Sequence, residues 1–142
     1  MGDGQAIARL LTLVEHERNA DTGPRQKAIY DLTRMEALLE RLGSSHKQIP
    51  AVHIAGTKGK GSTAALCDAA IRAAGLSTGF YSSPHIHTFR ERIRRDSEPI
   101  PQAIFAGLVE GLWPLHGELQ KEAKIGPMTL FEYLTGLARQ CR

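Results

Sequence analysis

The sequence predicts an α/β fold, and three observations carry that prediction. Residues 51–55, Ala-Val-His-Ile-Ala, are a short apolar run of strand length. Three glycines follow at 56, 59 and 61, with Lys60 among them, and an alanine-rich helical segment opens near Ser62. A second strand-like run, Ser-Thr-Gly-Phe-Tyr-Ser at 77–82, comes after that segment. Strand, helix and strand at this spacing imply a right-handed parallel crossover.

The remaining elements read as helices. Apolar residues at Ile7, Leu10, Leu11 and Val14 have helical spacing within 5–18. Residues 19–28 are polar, and Gly23-Pro24 breaks the pattern. A second helix is expected over 31–42, with Asp31 as N-cap and Gly43 as the stop. Its apolar face would be Leu32, Met35, Leu38, Leu39 and Leu42. The helix after the glycines should run from about 62 to 74 and end at Gly75. Residues 83–98 read as a long polar loop carrying Arg90, Arg92, Arg94 and Arg95. Pro101 suits the first turn of a helix reaching about 115. The last helix has the clearest start: Thr129 and Glu132 form a T-x-x-E capping box, with Met128 and Tyr133 as its hydrophobic staple. Only two strands are visible, and both belong to a parallel unit. Parallel sheets are normally larger and covered on both faces, so the expected sheet is incomplete.

Bulk properties narrow the function. A chain of 142 residues has the length of one domain, and 42% hydrophobic with 23% charged residues is ordinary for a soluble globular protein. No apolar run approaches a membrane span. The N-terminus shows no basic segment followed by an apolar core, and Ala6 stands where a myristoylation signal needs Ser or Thr. The expected compartment is the cytoplasm, with no membrane partner. The net charge of +3 suits an anionic ligand. It is too small to indicate nucleic acid, and one Trp with three Tyr offers no stacking platform. Cys67 and Cys141 lie far apart with no metal-ligand spacing. His85 and His87 lack a third ligand nearby in sequence.

The glycine segment carries the chemistry. Glycines let backbone N–H groups turn inward with no Cβ in the way, and a helix N-terminus presents unpaired donors and a positive dipole end. Lys60 adds a charge for the β- and γ-phosphates, and Ser62 or Thr63 adds a hydroxyl near Mg²⁺. The general pattern G-x-x-x-x-G-K-[ST] is not met, because it needs Gly at 54 and Ser or Thr at 61, where the chain has Ile54 and Gly61. That mismatch argues against a generic P-loop NTPase or kinase. The competing reading is a glycine turn before an ordinary helix, with Lys60 solvated.

The string Ala55-Gly56-Thr57-Lys58-Gly59-Lys60-Gly61-Ser62 resembles the nucleotide loop of folylpolyglutamate and dihydrofolate synthases, which belong to the Mur ligase superfamily. Gly79-Phe80-Tyr81-Ser82-Ser83-Pro84-His85 resembles the family's G-x-Y-[ST]-S-P-H segment. Phe89-Arg90-Glu91-Arg92-Ile93 with Glu98-Pro99-Ile100 resembles its F-x-E-R-I…E-P-I stretch. Thr129-Leu130-Phe131-Glu132 resembles T-x-F-E, and Leu38-Leu39-Glu40-Arg41-Leu42-Gly43 is similar to the helix before its first strand. These motifs keep family order from 31 to 138.

The resemblance implies that residues 1–142 are the N-terminal segment of the ATP-binding domain, a P-loop three-layer α/β/α architecture of Mur-ligase type. It implies ATP and Mg²⁺ as cofactors, with a folate or dihydropteroate and L-glutamate as substrates, and a monomer at full length. ATP would phosphorylate a carboxylate to an acyl phosphate, which the glutamate amine attacks. Thr57, Lys58, Gly59, Lys60, Gly61, Ser62 and Thr63 would bind the nucleotide, with Lys60 catalytic. Ser83 and Ser62 would meet the metal. Thr129, Leu130, Phe131 and Glu132 would border the pterin end of the substrate. Tyr30, Asp31 and Leu32 stand where the family has a Leu-Gly-Leu-like segment, and Asp31 departs from it. Glu132 is equally explained as a capping residue, Phe131 as core, and the arginines at 90–95 as a solvated face, with Arg92 a candidate for phosphate or for the loop's carboxylates. The carboxylate that partners the metal-side serine, a His, and an Arg and Asp of a second domain would lie beyond residue 142. The resemblance therefore implies part of an active site, in a chain inactive alone. The alternative is a non-catalytic nucleotide-binding segment completed by another polypeptide.

Overall fold

A computed structural model of the chain describes residues 3–20, 32–122 and 126–141. Its elements are α1 (Asp3–Ala20), α2 (Thr33–Arg41), a 3₁₀ turn (Ser45–Gln48), α3 (Lys60–Ala73), β1 (Gly79–Tyr81), a second 3₁₀ turn (Phe89–Arg92), β2 (Ile93–Arg95), β3 (Glu98–Pro99), α4 (Gln102–Lys121) and α5 (Leu130–Gln140).

The core is helical. α1, α2, α4 and α5 pack together around Leu10, Leu38, Phe105, Val109, Tyr133 and Leu137, all essentially inaccessible to solvent. The Tyr133 hydroxyl donates to the Val109 carbonyl at 2.8 Å, which satisfies the ring's only polar atom inside this core. Burial pushes the Tyr133 hydroxyl pKa up, and Arg9 opposes this slightly. On α1 the buried stripe is Ala6, Leu10 and Leu13, and Leu11 is half exposed. The buried stripe is therefore rotated from the expected face of Ile7, Leu10, Leu11 and Val14, with Leu10 common to both. On α2 Leu38 is the buried anchor while Leu32 faces water. Gly43, at φ +77°, follows the helix as expected. Leu32 takes the N-cap position without a side-chain hydrogen bond. The expected cap Asp31, Tyr30 and the Gly23-Pro24 break lie outside the described residues.

α4 runs past its expected end near 115 and continues through Pro114 to Lys121. Leu112, His116 and Leu119 lie on one buried face spanning the proline. The packing on both sides of Pro114 outweighs the lost backbone hydrogen bond, whose local penalty is ~3 kcal/mol.

The sheet departs most from expectation. β1, β2 and β3 form an antiparallel meander in which Phe80 pairs with Arg94, and Arg95 with Glu98. The parallel crossover is not formed among the described residues. Residues 51–55 are not a strand there; four of the five are exposed and Ile54 is half-buried. A strand is defined by the neighbour it bonds to; residues 51–55 have none among the described residues, and β1 pairs on one edge only, with β2. The supposed polar loop 83–98 supplies β2 and β3. Its hairpin turns at Asp96 and Ser97, with φ +50° and +81°, the left-handed pair of a type I′ turn. Asp96 accepts hydrogen bonds from Ser77 Oγ at 2.8 Å and the Thr78 amide at 2.8 Å, which hold the turn against the start of β1.

α3 begins at the glycine loop and is loosely docked. Its one buried residue is Asp68, which accepts from Thr78 Oγ1 at 2.6 Å and Arg72 Nε at 3.0 Å. The opposite face, Ala65, Leu66, Ala69, Ala70 and Ala73, is exposed, Leu66 to 73%. The packed side is thus mixed, with Asp68 beside the half-buried Ala64, Cys67 and Ile71, while an apolar stripe is left facing water.

Candidate nucleotide-phosphate site

The glycine loop closes as its residue types require. Gly59 caps α3 at φ +73°, a left-handed conformation that disfavours a Cβ. The Gly59 carbonyl accepts from the Thr63 amide at 2.9 Å and from Thr63 Oγ1 at 3.0 Å. The Lys60 ammonium curls back over the loop and donates to the Gly56 carbonyl at 2.6 Å. A Cβ on Gly56 would stand 3.8 Å from Lys60 Cγ, so the lysine stem covers that glycine. No acidic residue lies in the first turn of α3. The result is an exposed helix N-terminus with Lys58, Lys60, Ser62 and Thr63 around it, an environment suited to an anion such as a polyphosphate. Thr57, Gly59 and Gly61 are also exposed. Lys60 is on the first turn of α3, not in the turn before it, two residues earlier than the expected start near Ser62.

Ser83 lies on a separate segment. It is exposed, and its peptide bond to Pro84 is cis. The chain around it is tied to the second 3₁₀ turn. The Ser82 amide donates to the Arg92 carbonyl at 3.0 Å, and Arg92 Nε donates to His85 Nδ1 at 2.8 Å. The His85 ring packs on Phe89 with centroids 4.5 Å apart. Partial burial, reinforced by the Arg92 charge, lowers the His85 pKa. Glu91 accepts from the amides of Ile86, His87 and Thr88 at 2.8–3.0 Å, and these bonds hold its carboxyl below the usual carboxylate range.

The third group sits on α5. Thr129 caps the helix reciprocally with Glu132, as the sequence predicts. Glu132 also forms an ion pair with Arg34 of α2, at 3.0 Å and 3.1 Å to its two oxygens. Leu130 is buried, whereas Phe131 is 54% exposed with its ring 6.2 Å from Tyr81. Phe131 is therefore not core. Burial raises the Tyr81 hydroxyl pKa, partly offset by Thr135 and Arg92.

For Mg²⁺ the donor set is partial. Ser62 and Ser83 offer neutral hydroxyls, and no cluster of three His, Cys, Asp or Glu suited to a metal occurs among the described residues. Either hydroxyl would be a minor ligand of an ion held mainly by phosphate oxygens and water. Among the described residues, the side-chain hydrogen bonds of the glycine loop stay within that loop.

Arg34, Tyr81 and Glu91 were not singled out as site residues by sequence. Arg34 is four residues before Leu38, on the same helical stripe, and a cation there is the signal that could have found the ion pair.

A comparison with protein-family models finds no match. Curated relatives do match. The chain is 41% identical over 107 residues to the dihydrofolate synthase/folylpolyglutamate synthase of Bacillus subtilis, covering 75% of this chain and 25% of that protein. It is 38% identical over 138 residues to the enzyme of the same name from Mycobacterium tuberculosis, covering 93% and 28%. Among solved structures, a folylpolyglutamate synthase described as an AMPPCP–folate complex superposes with a TM-score of 0.79 at 33% identity, covering 98% of this chain and 32% of that one. Mycobacterium tuberculosis folylpolyglutamate synthase complexed with ADP and AMPPCP superposes at 0.74 with 36% identity, covering 94% and 28%. These likenesses define the class as a mixed helix–sheet segment of Mur-ligase-type fold. The chain belongs to the folylpolyglutamate/dihydrofolate synthase family and spans about a quarter to a third of the length of these relatives.

Proposed function

We propose that this chain carries the nucleotide-phosphate loop of an ATP-dependent amide ligase that adds L-glutamate to a folate or dihydropteroate carboxylate. The observation that supports this best is the glycine loop at the N-terminus of α3, with Lys60 over it and free first-turn donors. In this reading residues 57–63 hold the ATP phosphates, and Lys60 balances charge as phosphate passes to the substrate carboxylate. The glutamate amine then displaces phosphate from the acyl phosphate. Mg²⁺, bound mainly by the nucleotide, would supply charge neutralisation, with Ser62 and Ser83 as its nearest hydroxyls. Thr129, Leu130, Phe131 and Glu132 would border the folate, Phe131 being the exposed ring among them. Residues 51–55 would become a parallel strand of the complete P-loop sheet. The full-length protein is expected to be a cytoplasmic monomer that binds no nucleic acid or membrane. No helix among the described residues is long and apolar enough to cross a membrane.

The exposed apolar stripe of α3 favours a second reading of the 142 residues taken alone, as a nucleotide-binding unit that another polypeptide completes. One experiment tests the loop that both readings share. Binding of AMPPCP is measured beside glutamate-dependent ADP release with dihydropteroate or tetrahydrofolate. Binding without turnover is expected, and Lys60→Ala should abolish the binding. Nucleotide affinity unaltered by Lys60→Ala would remove the loop assignment.

A further inference from the structure

We infer that Arg92 is the positioning residue for the Ser83 segment, gripping the chain on both sides of Ser83–Pro84. One residue supplies both contacts. Its carbonyl accepts from the Ser82 amide at 3.0 Å, just before Ser83. Its guanidinium Nε donates to His85 Nδ1 at 2.8 Å, just after Pro84. Ser83 itself is exposed, so its place is set by these neighbours and not by burial.

Three further contacts make the grip rigid. Phe89 closes over the His85 ring at 4.5 Å. Glu91 fixes the next three residues through their amides. The Arg92 guanidinium also stands beside the Tyr81 hydroxyl, which accepts from Thr135 of α5 at 3.2 Å. Arg92 therefore links the Ser83 segment to the face of α5 that carries Phe131.

The contact with His85 has a definite consequence for its protons. An arginine can only donate, so His85 Nδ1 must be the bare nitrogen and Nε2 the protonated one. Arg92 thereby selects one tautomer of the imidazole and one orientation of the segment. The role at Ser83 rests on the metal reading proposed above, while the grip itself does not.

Two measurements on the 142-residue chain test this. Nitrogen-15 spectra of the imidazoles should show His85 with a bare Nδ1 and a protonated Nε2. Arg92→Ala should convert this to a mixture of tautomers and shift the Ser83 amide, while the Tyr133 and Leu137 amides of the core stay in place. Arg92→Lys, which keeps the charge beside Tyr81, should give intermediate populations and guards against an unfolded alanine variant. A wild-type His85 protonated at Nδ1, or an alanine variant with an unchanged His85 signal, would overturn the grip. Next, AMPPCP affinity is compared with and without Mg²⁺. If Ser83 is a ligand, Arg92→Ala should reduce the gain from Mg²⁺ by about tenfold or more, the scale of losses when the support of a metal ligand is removed. A wild-type chain with no gain from Mg²⁺ overturns the metal reading alone, because the imidazole spectra decide the grip independently.

Discussion

Arg34 Nε lies 3.0 Å from Glu132 Oε1 and 3.1 Å from Oε2, with both side chains largely withdrawn from water. This pair fastens α2 to the first turn of α5 across 98 residues of sequence. Glu132 thus serves three partners: the Thr129 amide, the Thr129 hydroxyl and Arg34. Removing one member of such a pair strands the other charge in a poorly solvated place. Arg34→Met should destabilise the chain by about 3 kcal/mol. Urea unfolding of Arg34→Met, Glu132→Gln and the double variant measures this, and additive losses would show that the two residues do not act as a pair.

Gly136 should resist even a methyl group. A Cβ there would stand 2.6 Å from Leu38 Cδ2 and 3.7 Å from Leu112 Cδ2. Leu38 is fully buried, so it has little freedom to swing aside. Alanine gains up to about 1 kcal/mol in helix propensity, against about 1–3 kcal/mol for overpacking a core. The expected net effect of Gly136→Ala is a loss of about 1 kcal/mol, read as a lower urea midpoint. A raised midpoint would mean that α5 can shift away from α2 at no penalty.

Acid should release residues 86–88 before it unfolds the core. The backbone amides of Ile86, Thr88 and His87 lower the Glu91 pKa in the folded state. A depressed folded pKa means that its stabilising contribution is fully present above the ordinary carboxylate pKa. That contribution is lost as pH falls through the lower folded value. The amide signals of Ile86, His87 and Thr88 should therefore move with a midpoint below about 4.3, the ordinary glutamate value. Glu91→Gln should show the released state already at neutral pH. A midpoint at or above the ordinary value would contradict the three-amide cradle.

Gly59→Ala tests the loop without adding a clash. Nothing lies within 4 Å of a Cβ at this position, so the penalty comes from the φ of +73° alone. Left-handed backbone costs an ordinary residue about 1–2 kcal/mol. Because α3 is loosely docked, the strain should distort its first turn and leave the helical core standing. AMPPCP affinity should fall roughly tenfold if most of that strain energy is felt at the loop, with little change in Tm. An unchanged affinity would show that the phosphates do not use this turn.

The helices and the glycine loop were legible in the sequence because their signals are local. The T-x-x-E box, Gly43 and the run of alanines after Ser62 each act within one or two turns. The sheet was not legible. β2 reads Ile-Arg-Arg, which looks like a solvated stretch, yet Arg94 lies over Phe80 at 5.8 Å and bonds the Glu91 carbonyl at 3.1 Å. An arginine that stacks and bonds to backbone has the same letter as one in water. Residues 51–55 failed in the opposite sense, being apolar enough for a strand but lacking a neighbour to pair with. Of the candidate site, the glycine loop and the Thr129–Glu132 box could be read directly. The Arg34–Glu132 and Arg92–His85 bonds depend on tertiary placement, although His85 and Arg92 are only seven residues apart.

The outward apolar stripe of α3 makes the phosphate loop and whatever covers that stripe thermodynamic partners. The helix that would grip the nucleotide at its first turn leaves Leu66 and four alanines facing water. Any segment that covers this stripe stiffens the helix and, in the proposed reading, tightens nucleotide binding. Linkage is reciprocal, so bound nucleotide must strengthen the hold of the covering segment by the same factor. A short chain of this kind would sense nucleotide by how firmly it is held.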